Sequence, residues 1–297
     1  MIDALGEAVA GHVVERLLTR LGAALVFAVG GVLAWLSTHG GWARLVKLGA
    51  QAADLPTLVV LAVVAALLAA AFAASTVVRL LTRPVLRFLE GYWTWPLKPL
   101  RAWLVDRKTT QRAGLEAELR RFASRGERAK QVRAEQRLHR MPAAQWMMPT
   151  RLGNLLRAAE TRPAEKYGLD AVAVWPHLWM VLPEQARLDL GAARASLDRG
   201  VATAIWAAAS LPFGVWSLWA PAAGLGLTAW AIWLWIPHRA ARYADLLEAS
   251  YDVYRRQLYE QLRWPLPIDP DDERIKGELL TSYLVRGLAG GKPRFTS

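Results

Sequence analysis

One concentrated polar set lies beside apolar neighbours in this chain: Arg151, Asn154, Glu160, Tyr167 and Asp170. A guanidinium, an amide, two carboxylates and a phenol within twenty positions suit a cytoplasmic ligand or gating site, or a membrane-bound enzyme. The same residue types also serve turns and helix caps, with Arg151 and Asp170 as a candidate ion pair. Both accounts stay open at this level.

Other familiar chemistry is missing. The five histidines, His12, His39, His139, His177 and His238, show no metal-ligand spacing, and no H-E-x-x-H occurs. There is no cysteine, which removes disulfides, thiolate-bound zinc and thiol catalysis. Gly290, Gly291 and Lys292 lack the first glycine and the hydroxyl residue of a phosphate loop, and no G-x-S-x-G is present. Asp269, Asp271, Asp272 and Glu273 cluster at an expected helix start, where free N–H groups and the positive dipole end account for them. No catalytic residue, metal site or cofactor is therefore assigned.

The elements that would hold the polar set are dominated by apolar text. Residues 21–42 are interrupted only by Ser37, Thr38 and His39, while 56–78 and 201–237 carry no charge at all. A helix needs roughly 20 apolar residues to cross a hydrocarbon core of about 30 Å. The third stretch is long enough for two crossings, with a hairpin expected around 219–224. The expected fold is all-α: an integral membrane protein with four transmembrane helices and a helical cytoplasmic domain between spans two and three.

Charge orients these spans. Of the net charge of +12, residues 79–200 carry 23 basic and 12 acidic side chains, a balance of +11. Arg79, Arg83 and Arg87 follow span two, Arg194 and Arg199 precede span three, and Arg239 and Arg242 follow span four. The 38–56 loop holds only Arg44 and Lys47. Basic residues near span ends stay cytoplasmic, so both termini and the central region are expected inside, in the plasma (inner) membrane.

The chain divides into 1–20, an amphipathic interfacial helix with Asp3, Glu7 and Glu15 and no cleavage site behind it; 21–82, spans one and two; 83–200, a basic helical domain; 201–237, the hairpin of spans three and four; 238–288, cytoplasmic helices; and 289–297, a disordered tail. Within 83–200, the 84–105 segment with Trp93, Trp95, Pro96 and Pro99 should lie along the membrane surface, and 111–140 reads as one basic helix. Pro163 should end the helix after Asn154, and Pro212 should kink span three. Span two carries Ala62, Ala66, Ala70 and Ala74 at four-residue steps. Such a small-residue face lets helices approach closely in lipid, within one bundle, between copies, or around a pore. Trp206 and Trp230 lie deep in their spans and are expected to pack, with an aromatic gate as the alternative.

Pro149-Thr150-Arg151-Leu152-Gly153-Asn154, Tyr167-Gly168-Leu169-Asp170-Ala171, Val174-Trp175-Pro176 and Leu182-Pro183-Glu184, with Tyr251 to Arg255 and Pro265-Leu266-Pro267, resemble a set of multi-pass bacterial membrane proteins. The likeness covers roughly 149–287. It implies a bacterial membrane protein and carries no assigned activity, so no residue role transfers.

The spans lack ionisable residues apart from His39 at an edge, which argues against ion-coupled transport. The leading expectation is a non-enzymatic protein that self-assembles or binds a protein partner, its basic domain resting on anionic lipid head groups. The alternatives are an oligomeric channel lined by span two, and an enzyme or ligand sensor using Arg151 to Asp170. Interspersed acids in 107–140 argue against nucleic acid.

Overall fold

The computed structural model describes residues 22–287. The helix expected at 1–20 and the tail expected at 289–297 lie outside them. Among the described residues every regular element is helical. They form two compact units: 22–86 with Asp198–Ile236, and Arg87–Leu197 with 237–287.

The first unit begins with α1, Gly22–Leu36, followed by α2, Gly41–Ala53, at 112° to it. The sequence Ser37-Thr38-His39-Gly40 makes the break. Ser37 Oγ donates to Ala34 O at 2.7 Å and Thr38 Oγ1 to Trp35 O at 3.1 Å, so side chains take carbonyls that a continuing helix would use. Gly40 and Gly41 then turn the chain with φ of 95° and 58°, which glycine adopts freely. The expected 38–56 loop is thus largely helix, and the first apolar stretch is bent, not one straight span.

Next comes α3, Thr57–Glu90, 34 residues long. At 1.5 Å per residue it measures about 50 Å, more than a hydrocarbon core. It passes through Pro84, beyond the boundary expected at 82–83. Proline removes one ladder hydrogen bond, and burial of Thr82 and Leu86 on either side offsets that loss.

The second hairpin turns earlier than its proline and glycine imply. Helix α8, Glu184–Ala209, stops where Ser210 Oγ bonds back to Ala207 O at 2.7 Å, and Pro212 opens a 3-10 turn, Leu211–Val215. Residues 219–224 instead begin α9, Trp219–Trp230. Pro221 fits there because first-turn N–H groups have no partner within the helix. Gly224 permits the crossing: a Cβ there would meet Ser210 Oγ at 2.0 Å. Pro212 therefore terminates the third apolar helix where a kink was expected. Phe27 packs on Trp206 and Phe213, with ring centroids 5.0 and 4.9 Å apart, and Trp230 packs on Trp235 at 5.0 Å. Trp206 is half-buried against Phe27, while Trp230 is 45% exposed despite its ring contact with Trp235.

A five-residue π segment, Ala231–Trp235, joins α9 to α10, Ile236–Gln261. Among the described residues two continuous helices, Thr57–Glu90 and Trp219–Gln261, are long and apolar enough to cross a membrane, and the bent pair α1–α2 makes a third if counted as one span. That is fewer than the four expected, because α8 has only the uncharged run 201–209 before it breaks.

In the second unit, α4 (Lys98–Ser124) and α5 (Arg128–His139) form a hairpin where one helix was expected. Gly126, at φ 68°, breaks it. Then follow α6 (Arg151–Tyr167), which continues through Pro163 against expectation, α7 (Ala171–Val181), and finally α11 (Pro270–Arg286). The helix expected between Asp269 and Gly287 is present, with Asp269 accepting from Asp272 N at 2.8 Å. The core gathers Leu152, Val174, Leu178, Tyr251, Tyr259, Trp264 and Leu280.

Candidate functional site

Helices α6, α10 and α11 hold the polar centre of the second unit. The α6–α11 crossing depends on two glycines. A Cβ on Gly277 would sit 1.9 Å from Tyr167 O, and one on Gly168 would sit 2.1 Å from Arg274 O. Backbone-to-backbone approach of this kind brings the C-terminal turn of α6 against α11.

Glu248 of α10 is buried at 7% exposure. Its carboxylate accepts from Arg162, and from Lys166 Nζ at 2.7 Å, with His139 Nε2 3.5 Å away. Burial alone would raise its pKa. The hydrogen bonds from Lys166 and Arg162, and their positive charges, outweigh that and hold it below the usual glutamate range. One turn on, Asp252 accepts from Tyr167 Oη at 2.6 Å. Burial, then this bond, pushes the Tyr167 phenol up to about 12, so it stays protonated and donates. Arg255 stacks 4.1 Å over the Tyr167 ring and donates from Nε to Glu273 Oε1 at 2.7 Å. Each carboxylate here has a cation or phenol partner, and the assembly works as a clasp across three helices.

The residues expected from sequence are placed separately. Tyr167 is in the clasp. Arg151 is exposed at the start of α6. Asn154 is buried; its Oδ1 accepts from Met148 N at 2.7 Å and its Nδ2 donates to Met148 O at 2.9 Å, fixing the strap before α6. Glu160 pairs with Arg157 at 3.2 Å, both half-buried. Asp170 caps α7, accepting from Val172 N at 2.8 Å and Ala173 N at 3.1 Å, and its own N–H donates to Thr281 Oγ1 at 3.1 Å. Asp170 turns to its own helix start, and no ion pair joins it to Arg151. Sequence reading missed Glu248, Asp252 and Arg255, whose four- and three-residue steps place them on one face of α10.

A cavity of about 470 Å³ opens between α5, α6 and α10, with Val132, Leu155 and Ala244 among its walls and His139, Arg162 and Glu248 at its polar edge. Among the described residues no three histidine or acidic side chains gather as a metal site.

In the first unit, Ala62, Ala66 and Ala70 are exposed and Ala74 is half-buried. Every residue of α3 from Thr57 to Ala70 is exposed. No known family, curated protein or solved structure matches the chain.

Proposed function

We propose that the protein is a non-enzymatic, multi-pass inner-membrane protein that works by self-assembly, with α3 as the contact between copies. The carrying observation is the exposed apolar half of α3: every residue from 57 to 70 is exposed, and they include Ala62, Ala66 and Ala70 of the small-residue row. Packing within the described residues reaches only the C-terminal end of the row, where Ala70 and Ala74 flank a cleft with Ala24, Phe27 and Trp206, and it leaves Ala62 and Ala66 exposed. Lipid needs no small residues to contact a helix, whereas another helix gains close backbone approach from them.

Both termini face the cytoplasm in this reading. α1 leaves that side and α3 returns to it. The 198–236 hairpin comes back to the side it entered at any depth, so the four-crossing count is not needed for the orientation. The excess of +11 in 79–200 supports the basic side as the inside. The exposed Trp95 and Trp103, near Lys98, Arg101 and Arg107, suit the head-group layer of anionic lipid.

The test is the mass of the protein in nanodiscs of mixed neutral and anionic lipid. The wild type is expected as a dimer or larger, and Ala66→Leu with Ala70→Leu as a monomer of unchanged helix content. A monomeric wild type at all protein-to-lipid ratios would overturn the proposal.

A further inference from the structure

The bend after α1 leaves α2 with a surface of its own. Arg44, Lys47 and Gln51 recur at three- and four-residue steps and share one face of the helix. Trp42, Leu45, Val46, Gly49 and Ala53 share the opposite face. No residue of α2 is buried, and Trp42 and Val46 are 76% and 72% exposed. The helix therefore has an apolar face that is mostly open among the described residues, with Leu45 half-buried and the rest exposed.

We infer that α2 is an in-plane anchor on the non-cytoplasmic side of the membrane. Its apolar face lies in the boundary between head groups and acyl chains, and Arg44 and Lys47 meet lipid phosphates. Three observations identify lipid as the occupant. The 112° bend turns the helix away from the axis of α1, so a membrane-crossing α1 leaves α2 near the membrane plane. The charges are segregated and all basic, with no carboxylate between Gly41 and Ala53. Thirteen residues give a length of about 20 Å, enough to lie on a bilayer and too short to cross one. A re-entrant path would take both cations into hydrocarbon with no anion on the helix to pair them, which is strongly unfavourable.

The inference rests on the membrane reading of the first unit and not on self-assembly. The chain contains no cysteine, so single nitroxide labels can be placed without background. Val46→Cys, Gln51→Cys and Ala53→Cys report on α2, and Val63→Cys on α3 is the depth control. Depth is read in proteoliposomes from the relative effect of oxygen and of a water-soluble nickel chelate. Labels at 46 and 53 are expected about 5–10 Å inside the head-group boundary, with 51 open to nickel. All three open to nickel, or all three as deep as 63, would overturn the inference. A water-exposed label at 63 would instead remove the membrane reading itself.

Discussion

The two units solve the problem of exposed surface in opposite ways. In the first, large apolar side chains point outward along whole helices: Leu58, Leu61, Val63 and Leu67 of α3 are all half exposed or more. In the second, a set of aromatic rings forms the core, although Trp95 and Trp103 stay exposed. Tyr251 and Tyr259 are fully buried, and Tyr251 Oη donates to Ala171 O at 2.9 Å. The contrast fits a different solvent for each. Outward apolar surface on this scale has no stable state in water. A centre fastened by ion pairs and a tyrosine bond gains from water on its rim and protein at its core. Under the proposed function the first unit keeps its outward surface for lipid and for other copies, while the core of the second is closed within the chain.

That contrast can be broken most sharply at Gly277. With Tyr167 O already 1.9 Å from the position of a Cβ, Gly277→Ala should destabilise the second unit by about 3 kcal/mol, read as a lowered thermal midpoint by near-UV circular dichroism. Gly226→Ala in α9 has nothing within 4 Å of its Cβ and should leave the midpoint unchanged or slightly raised.

Glu248→Gln comes next. It leaves Arg162 and Lys166 facing a neutral amide at a buried site, and should cost about 2 kcal/mol, below the figure for fully buried pairs because Lys166 reaches solvent. The pH dependence follows from the same group. Its native pKa is depressed, so the unfolded chain binds more protons in the acid range. Its contribution is fully present above the ordinary glutamate value of about 4.3 and is lost as pH falls through the lower native value. Unfolding followed from pH 6 to pH 3 should show a smaller acid loss in the glutamine variant. An equal loss would separate Glu248 from the acid response.

Tyr167→Phe is the mildest change. It removes the donor to Asp252 and keeps the ring under Arg255, so about 1 kcal/mol is expected, measured in the same melt.

Local features of the fold were legible in the sequence where one residue decides the outcome. The Asp269 cap, Pro270 behind it and the Gly287 stop define α11 from text alone. The uncharged run in α3 was equally plain. Proline misled in both directions. Pro84 and Pro163 lie inside continuous helices, and Pro221 fits the first turn of α9, because neighbouring packing decides whether one lost hydrogen bond ends a helix. The amphipathic spacing of α2 was readable but was hidden by its position between two apolar stretches. The clasp was the least legible part. Lys166 and Glu248 are 82 residues apart, and only the glycine-mediated crossing and the fold around it bring such charges together.

The most direct test of the central claim is cross-linking along α3 in native membranes. Single cysteines at Ala62, Ala66 and Ala70, and at Val63 and Leu67 on the neighbouring faces, form no bond within the chain, which supplies no other thiol, so a cross-linked product at twice the chain mass reports a second copy. Self-assembly through the alanine row gives covalent dimers at 62, 66 and 70 and few or none at 63 and 67. Equal, negligible cross-linking at all five positions would mean that lipid alone covers α3, and would contradict the account.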